Sequence, residues 1–436
     1  MDKLKVCMIC HFSNAEVRSH LPLDDRKLYS IIRKLLRMPT KVKGYGDIAA
    51  WDVSIIDEFR KHPDMELHVI SAHSGLKKSM VSYTEDGVHY NFVNCDRATL
   101  LKQFIKNDDL WRRLNPMVKH VHHLVDKIMP DLVLLVGLEN AYISSTVLGI
   151  KDVPVLGLCQ TIYNNPERAM YSYVDSKNAT TEMEIFKEHK YFGVYCKKHY
   201  ELLKSIVPDK YIFKFGFPSN GALLEPSKTE KEYDFVNFAM GMSAKKGFPD
   251  AIEATSIVKK KYPEVRLNLV GGGSVEQKEE LAKMAEQLGV KDNVIFTPFF
   301  EKKSDLFLHI QKSRFALLPC KMDNISGTMT QAMQLGLPLV VYKTHGTPSF
   351  NREKQCALIA EKENVEQLAQ HMIALMGNPE LGETLKKNAR EFQEKKAEMA
   401  KQNGNRLIET FKAVVAKEKQ GKDIPQDLLF NPERDD

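Results

Sequence analysis

Asp323-Asn324-Ile325-Ser326-Gly327-Thr328-Met329-Thr330-Gln331-Ala332-Met333-Gln334-Leu335-Gly336-Leu337-Pro338 joins an acid, a small-residue turn, a helix start and an amide at fixed spacing. The apolar run Phe315 to Pro319 before it reads as a buried strand, and Thr328 to Leu335 has helical composition closed by Gly336. Ser326 and Gly327 let the backbone turn tightly between the two. A helix therefore starts just past a strand's carboxyl end. Its N–H groups and dipole there suit an anion such as a diphosphate, with Asp323 before the helix and Gln331 inside it placed to hold hydroxyls. An ordinary strand-loop-helix of an α/β domain has the same local pattern, so the rest of the chain must decide.

The flanking pattern is alternating. Phe235 to Met240, Arg266 to Val270, Asn293 to Phe296, Phe315 to Pro319 and Leu339 to Tyr342 read as strands, separated by helical patterns at Pro249 to Lys261, Val275 to Leu288 and Ser304 to Ser313. The first half repeats the layout. Its strand candidates are Lys5 to Cys10, Glu66 to Ser71, Tyr90 to Asn94, Asp131 to Val136 and Val153 to Leu158. Helical patterns lie at Ile48 to Phe59 and along Thr99 to Ile128, the latter divided by Pro116. Strands alternating with helices imply two parallel-sheet α/β domains with ligands at the strands' carboxyl ends. The boundaries expected are 1–216 for the first domain, a Pro/Gly-rich hinge at 217–226 and 227–400 for the second. Residues 401–436 should form a C-terminal helix and a polar, frayed tail that could pack back on the first domain.

Composition narrows the class. The chain has 436 residues, 43% hydrophobic and 28% charged, with a net charge of +6, the balance of a water-soluble globular protein suited to anionic ligands. Nothing in that charge demands nucleic acid. The N-terminus is too short of apolar residues for a signal peptide and no segment reaches a membrane-spanning length, so a cytoplasmic location is expected. Seven scattered cysteines suit a reducing compartment, and strand alternation should send Cys7 and Cys10 to opposite faces. From Asp24 to Lys43 a basic amphipathic helix around Lys34 could rest on its own domain or touch an anionic membrane surface.

Several polar groups fall at strand ends. Lys245 and Lys246, after the first strand of the second half, could neutralise a departing diphosphate, although a solvated lysine turn has the same sequence. Gly271-Gly272-Gly273 could admit a close ligand, and Thr297-Pro298-Phe299-Phe300 could offer amides and a ring to a base or simply fill a core. Gly44 and Gly46 precede the helix containing Trp51 and could touch a diphosphate, or form a plain turn with Asp47 as cap. Glu16 and Arg18 after the first strand, Glu139-Asn140, and Gln160 to Arg168 are acceptor-side candidates. His120 and His123, three apart on a helix, read as a surface pair rather than a metal site. No GxSxG, kinase set or Walker loop occurs.

From Asp234 to Met376 the chain resembles the family-4 retaining glycosyltransferases of the GT-B architecture. That family's Gly-Arg and Lys-Gly pairs fall on Gly241-Met242 and Lys246-Gly247, and its glycine-rich strand end on Val270 to Gly273. Its two glutamates with seven residues between fall on Asp323 and Gln331, followed by Ala332-Met333 and Gly336-Leu337-Pro338. The resemblance implies two doubly wound Rossmann-like domains facing across a cleft. It implies hexosyl transfer, with retention, from a nucleoside-diphosphate sugar to a hydroxyl of a glycan or lipid-linked glycan, as in surface polysaccharide synthesis. Lys246 and Asp323 would be catalytic, while Gly44, Gly46, Lys245, Gly272, Phe299, Ser326, Gly327, Thr328 and Gln331 would bind donor. Glu16, Arg18, Glu139 and Gln160 would face the acceptor, with no cofactor and no metal. The chain departs from the family pattern at Met242, Asp323 and Gln331, and Gln160 stands near the usual first-domain histidine. A non-catalytic nucleotide-sugar-binding protein, or another GT-B enzyme such as an epimerase, is the alternative.

Overall fold

The computed structural model describes residues 3–24, 51–171, 175–300, 302–322 and 326–434. The basic helix around Lys34, Gly44, Gly46 and Asp323 lie outside the described residues. The chain divides into two compact units: Met1–Pro166 with Val174–Ser219 and Ala400–Asp436, and Asn220–Met399 with the short segment Glu167–Tyr173.

In the first unit the strands are β1 (Leu4–Cys10), β2 (Met65–His73), β3 (Met80–Glu85), β4 (Val88–Asn94), β5 (Leu132–Val136), β6 (Val155–Leu158), β7 (Tyr191–Val194) and β8 (Tyr211–Lys214). They form one sheet in the order β3-β4-β2-β1-β5-β6-β7-β8, parallel except for the β3-β4 hairpin. Alternation along β1 sends Val6, Met8 and Cys10 into one apolar layer and Cys7 and Ile9 into the other, as expected for Cys7 and Cys10. Pro116 divides the helical stretch as expected, one helix ending at Leu114 and the next, Pro116–Ile128, starting at the proline with the Asn115 side chain as cap.

The second unit holds β9 (Tyr233–Gly241), β10 (Leu267–Gly272), β11 (Val294–Thr297), β12 (Ser313–Leu318), β13 (Leu339–Tyr342) and β14 (Ala357–Ala360). Its order is β11-β10-β9-β12-β13-β14, parallel throughout, with apolar layers on both faces. The helix expected to reach Ser313 stops at Ile310, because Ser313 already pairs with Tyr233 in the sheet.

Two further differences concern the connections. Within the segment read as a hinge, the Leu224 amide donates to Gln334 Oε1 at 3.3 Å and its carbonyl accepts from Arg390 at 3.0 Å, tying it to the second unit. The tail is not frayed. Ile424, Leu428 and Phe430 are buried, Lys214 N–H donates to the Leu428 carbonyl at 3.1 Å, and Phe430 N–H donates to the Ile212 carbonyl at 2.8 Å. The tail thereby covers the β8 edge, whose amides and carbonyls would otherwise be open for pairing.

Candidate functional site

At the carboxyl edge of the second sheet the ends of β9, β10, β11 and β12 carry this unit's described donor candidates. After β9 a single 3₁₀ turn, Ala244–Lys246, holds both lysines half-buried, and Gly247 at φ +73° starts the next helix. A Cβ on Gly247 would meet the Pro319 carbonyl oxygen at 2.2 Å, so the turn can lie against the β12 loop only with glycine there. The Lys245 carbonyl accepts from Lys321 N–H at 2.9 Å and from the Cys320 thiol at 3.4 Å. The lysine turn and the stretch leading to Asp323 are thus hydrogen-bonded together.

Beneath them lies a polar network that sequence reading missed. Lys321 Nζ is 2.9 Å from Asp250 Oδ1 and 3.4 Å from Glu363 Oε1, and the Tyr342 hydroxyl donates to Asp250 Oδ2 at 2.8 Å. Burial alone would lower the Lys321 pKa, but the hydrogen bond and charge of Asp250, with Glu363, raise it. Burial and the Asp250 charge likewise push the Tyr342 hydroxyl upward. The one sequence signal was a lysine two places before Asp323; its partners lie far away in the chain.

Helix Gly327–Gln334 begins beyond the end of β12. Ser326 is its N-cap, its Oγ accepting from Met329 N–H at 3.4 Å and lying 2.8 Å from Thr328 Oγ1. Gly327 is exposed, Thr328 and Gln331 are half-buried, and the first-turn amides form the anion-favouring end of the helix. Met242 is buried in the apolar layer, so it stands in the core rather than toward a phosphate. The glycines of β10 have a local reason: a Cβ on Gly271 would meet the Ala239 oxygen at 2.2 Å, and one on Gly272 the Met240 oxygen at 2.8 Å, where the pairing with β9 shifts register. Phe299 is 48% exposed rather than core, and its ring lies beside Gly272.

The carboxyl edge of the first sheet is made of side chains. Arg18 donates to Ser13 Oγ at 3.1 Å, Ser13 lies 3.2 Å from His73 Nε2, and the Tyr142 hydroxyl is hydrogen-bonded to His11 Nδ1. Burial, then the neighbouring His73, lowers the His11 pKa to about 4, so its ring is neutral at pH 7. Glu139 and Gln160 are half-buried in the loops after β5 and β6. Asp52, 1% exposed, has its carboxyl pushed well up by burial and by Glu139. Glu182, which sequence reading missed, fixes the loop after Gln160 by accepting from Tyr163 N–H and Asn164 N–H, each at 2.8 Å. Glu16 is not gathered in: it is exposed, and its charge acts on Tyr83 and Tyr90 instead. His120 and His123 lie on helix Pro116–Ile128, the first half-buried and the second exposed.

Residues 223–392 match the family described as Glycosyl transferases group 1. Among similar proteins, an uncharacterized glycosyltransferase of Haemophilus influenzae is 29% identical over 137 residues, 31% of this chain and 37% of that one. A poly(glycerol-phosphate) alpha-glucosyltransferase of Bacillus subtilis is 26% identical over 136 residues, 31% of this chain and 20% of that one. This chain therefore spans well under half of these curated relatives' own length. Two solved structures share the fold along nearly the whole chain. Sucrose-phosphate synthase from Thermosynechococcus elongatus superposes with TM-score 0.68 at 13% identity, covering 94% of this chain and all of the other. HepE of Anabaena, solved with UDP and glucose, does so with TM-score 0.62 at 13% identity, covering 93% and 100%. No helix among the described residues is long and apolar enough to cross a membrane. Residues 223–392 are thus similar to the glycosyl transferases of group 1, within a fold of two parallel-sheet α/β domains of the GT-B kind.

Proposed function

We propose that this protein is a retaining, family-4-type glycosyltransferase that moves a hexosyl group from a nucleoside-diphosphate sugar to a hydroxyl of a glycan or lipid-linked glycan, in surface polysaccharide synthesis. The observation that carries this reading is the hydrogen-bonded pairing of the Lys245-Lys246 turn with the β12 loop that leads to the amide-presenting start of helix Gly327–Gln334. Two ammonium groups and a helix dipole on adjacent strand ends are what a diphosphate requires. Base and ribose would lie near Phe299 and Gln331, the diphosphate against Lys246, Lys245 and the amides of Ser326 to Thr328, and the hexose toward Asp323. The acceptor would meet Arg18, Glu139 and Gln160. In the front-face reaction the bond from the anomeric carbon to the diphosphate breaks as the acceptor oxygen bonds to that carbon on the same face. The acceptor's proton passes to the departing phosphate oxygen. This chemistry asks for positioning and charge stabilisation, and the reading includes no cofactor or metal in the transfer. HepE was solved with UDP and glucose, which supports a uridine-diphosphate hexose as the first donor to try, and the Bacillus relative is named an alpha-glucosyltransferase of a polymer, which supports glucose as its sugar. The location proposed is cytoplasmic, with contact at the membrane through the basic helix near Lys34, tested by sedimentation with anionic liposomes at low salt.

The buried Met242, standing where the resembled family has an arginine, favours a second reading, a nucleotide-sugar-binding protein without turnover. A thermal-shift screen of UDP, GDP, ADP and their sugar conjugates, followed by a transfer assay, separates the two. Under the transferase reading one nucleotide raises the melting temperature, by about 2.7 kcal/mol of stabilisation at a hundredfold excess over its dissociation constant. The product then keeps the donor's anomeric configuration, and Lys246→Ala abolishes transfer. A selective shift with no transfer to any acceptor supports the binding protein. No shift with any nucleotide sinks both.

A further inference from the structure

Away from both carboxyl edges, Glu66, His68 and His89 lie in the amino-terminal parts of β2 and β4. Glu66 and His68 are two apart on one strand and therefore share a face; His89 is directly across from His68 in the parallel pairing. One ligand atom from each of the three lies within 4.8 Å of the other two, and among the described residues this is the one such trio of metal-ligating side chains. His68 Nε2 is 2.7 Å from Glu66 Oε1, and the two imidazoles stack with centroids 4.5 Å apart. Thr84 on β3 places Oγ1 3.0 Å from His89 Nδ1. With Nδ1 hydrogen-bonded to a hydroxyl that can accept its proton, the Nε2 of that ring can serve as the ligand atom.

The three side chains are each half-buried, within reach of both solvent and one another. The neighbouring cation, Lys5, has its ammonium bound to the Ile128 carbonyl at 3.1 Å.

We propose that Glu66, His68 and His89 form a binding site for one first-row divalent transition metal, Zn²⁺ before the others, with water completing the coordination. Two imidazoles and a carboxylate at this spacing are a borderline-soft donor set that magnesium or calcium, which prefer oxygen ligands, would leave empty. Its role is to fasten the β3-β4 hairpin to β2. The opposite sheet face is already held by the stacked Tyr83 and Tyr90 rings, 4.9 Å apart. The site takes no part in sugar transfer.

The test is titration of the metal-stripped full chain with Zn²⁺ alone, in competition with a chromophoric chelator. One equivalent should bind with a dissociation constant at or below about 1 μM, and the melting temperature should rise. His89→Gln and Glu66→Gln should each weaken binding by about tenfold or more. Because His68→Ala removes a packed ring and could unfold the edge, Co²⁺ spectra of the unaltered chain give an independent readout. Histidine-ligated Co²⁺ absorption is expected, and it should vanish in His89→Gln. Binding at millimolar Zn²⁺ only, or equal affinity in the His89→Gln and Glu66→Gln chains, overturns the site.

Discussion

The two carboxyl edges are built from different materials. The edge of the second sheet relies on main chain: a glycine in left-handed conformation, a serine-capped helix start, and a lysine turn hydrogen-bonded through its carbonyl. The edge of the first sheet relies on side chains from distant segments, with Arg18, Ser13 and His73 in one chain of contacts, His11 against Tyr142, and Glu182 under the Gln160 loop. Under the function proposed, the second edge would meet a diphosphate, the same group in every nucleoside-diphosphate sugar, which amides and glycines can serve generically. The first edge would meet an acceptor, particular to each enzyme, and particular recognition needs particular side chains.

The sharpest way to break this contrast is at the Lys321-Asp250-Tyr342 network of the second unit. Lys321→Ala leaves Asp250 buried without its cation, and should cost about 3 to 5 kcal/mol in urea unfolding. If the loss is under about 1 kcal/mol, the donor edge owes nothing to that network. Gly247→Ala attacks the main chain itself. With a Cβ 2.2 Å from the Pro319 oxygen and a left-handed backbone to pay for, about 3 kcal/mol of destabilisation is expected, with nucleotide-induced thermal shifts lost. Retained shifts would show that the two loops need not touch.

On the first unit, acidity is the probe. Buried His11 titrates near 4 against 6.5 when unfolded, so as pH falls the unfolded chain takes the proton first. Its contribution is full above about pH 6.5 and lost as pH drops to about 4, up to about 3 kcal/mol. His11→Gln should flatten that part of the stability profile; an unchanged profile means the ring is not buried neutral. The smallest effect is expected from Glu182→Gln, which weakens the bonds accepted from Tyr163 N–H, Asn164 N–H and the Asn164 side-chain amide by about 2 kcal/mol in all. It should raise acceptor KM while donor binding holds steady. Equal damage to donor binding would erase the distinction between the edges.

The same contrast explains what the sequence revealed. Strand-helix alternation was legible because buried parallel strands are nearly continuous apolar runs, as in β1, β5 and β13. The edge strand β3, Met-Val-Ser-Tyr-Thr-Glu, was not, since it is half polar. In β7, β8 and β14 a glycine, a lysine and two alanines dilute the β-branched and aromatic signal. Main-chain donor features announce themselves as glycine and serine at strand ends, so Lys245, Lys246, Gly247 and Ser326 stood out. Phe299 and Glu16 show the limit, because spacing placed them at a strand end without saying which way they face. Tyr342 with Asp250, and Tyr142 with His11, are 92 and 131 residues apart in sequence, and nothing local encodes such meetings.

The return of Ala400–Asp436 to the first unit also sets an order of events during synthesis. Domains commonly fold as they leave the ribosome, earliest first. Here the earliest unit still lacks the strip that covers β8 when residue 399 has emerged, whereas nearly all of the second unit is one continuous stretch, already complete. Of the two units, the one made first is finished later, and until then its open β8 edge is an exposed point for mispairing and for chaperone attention.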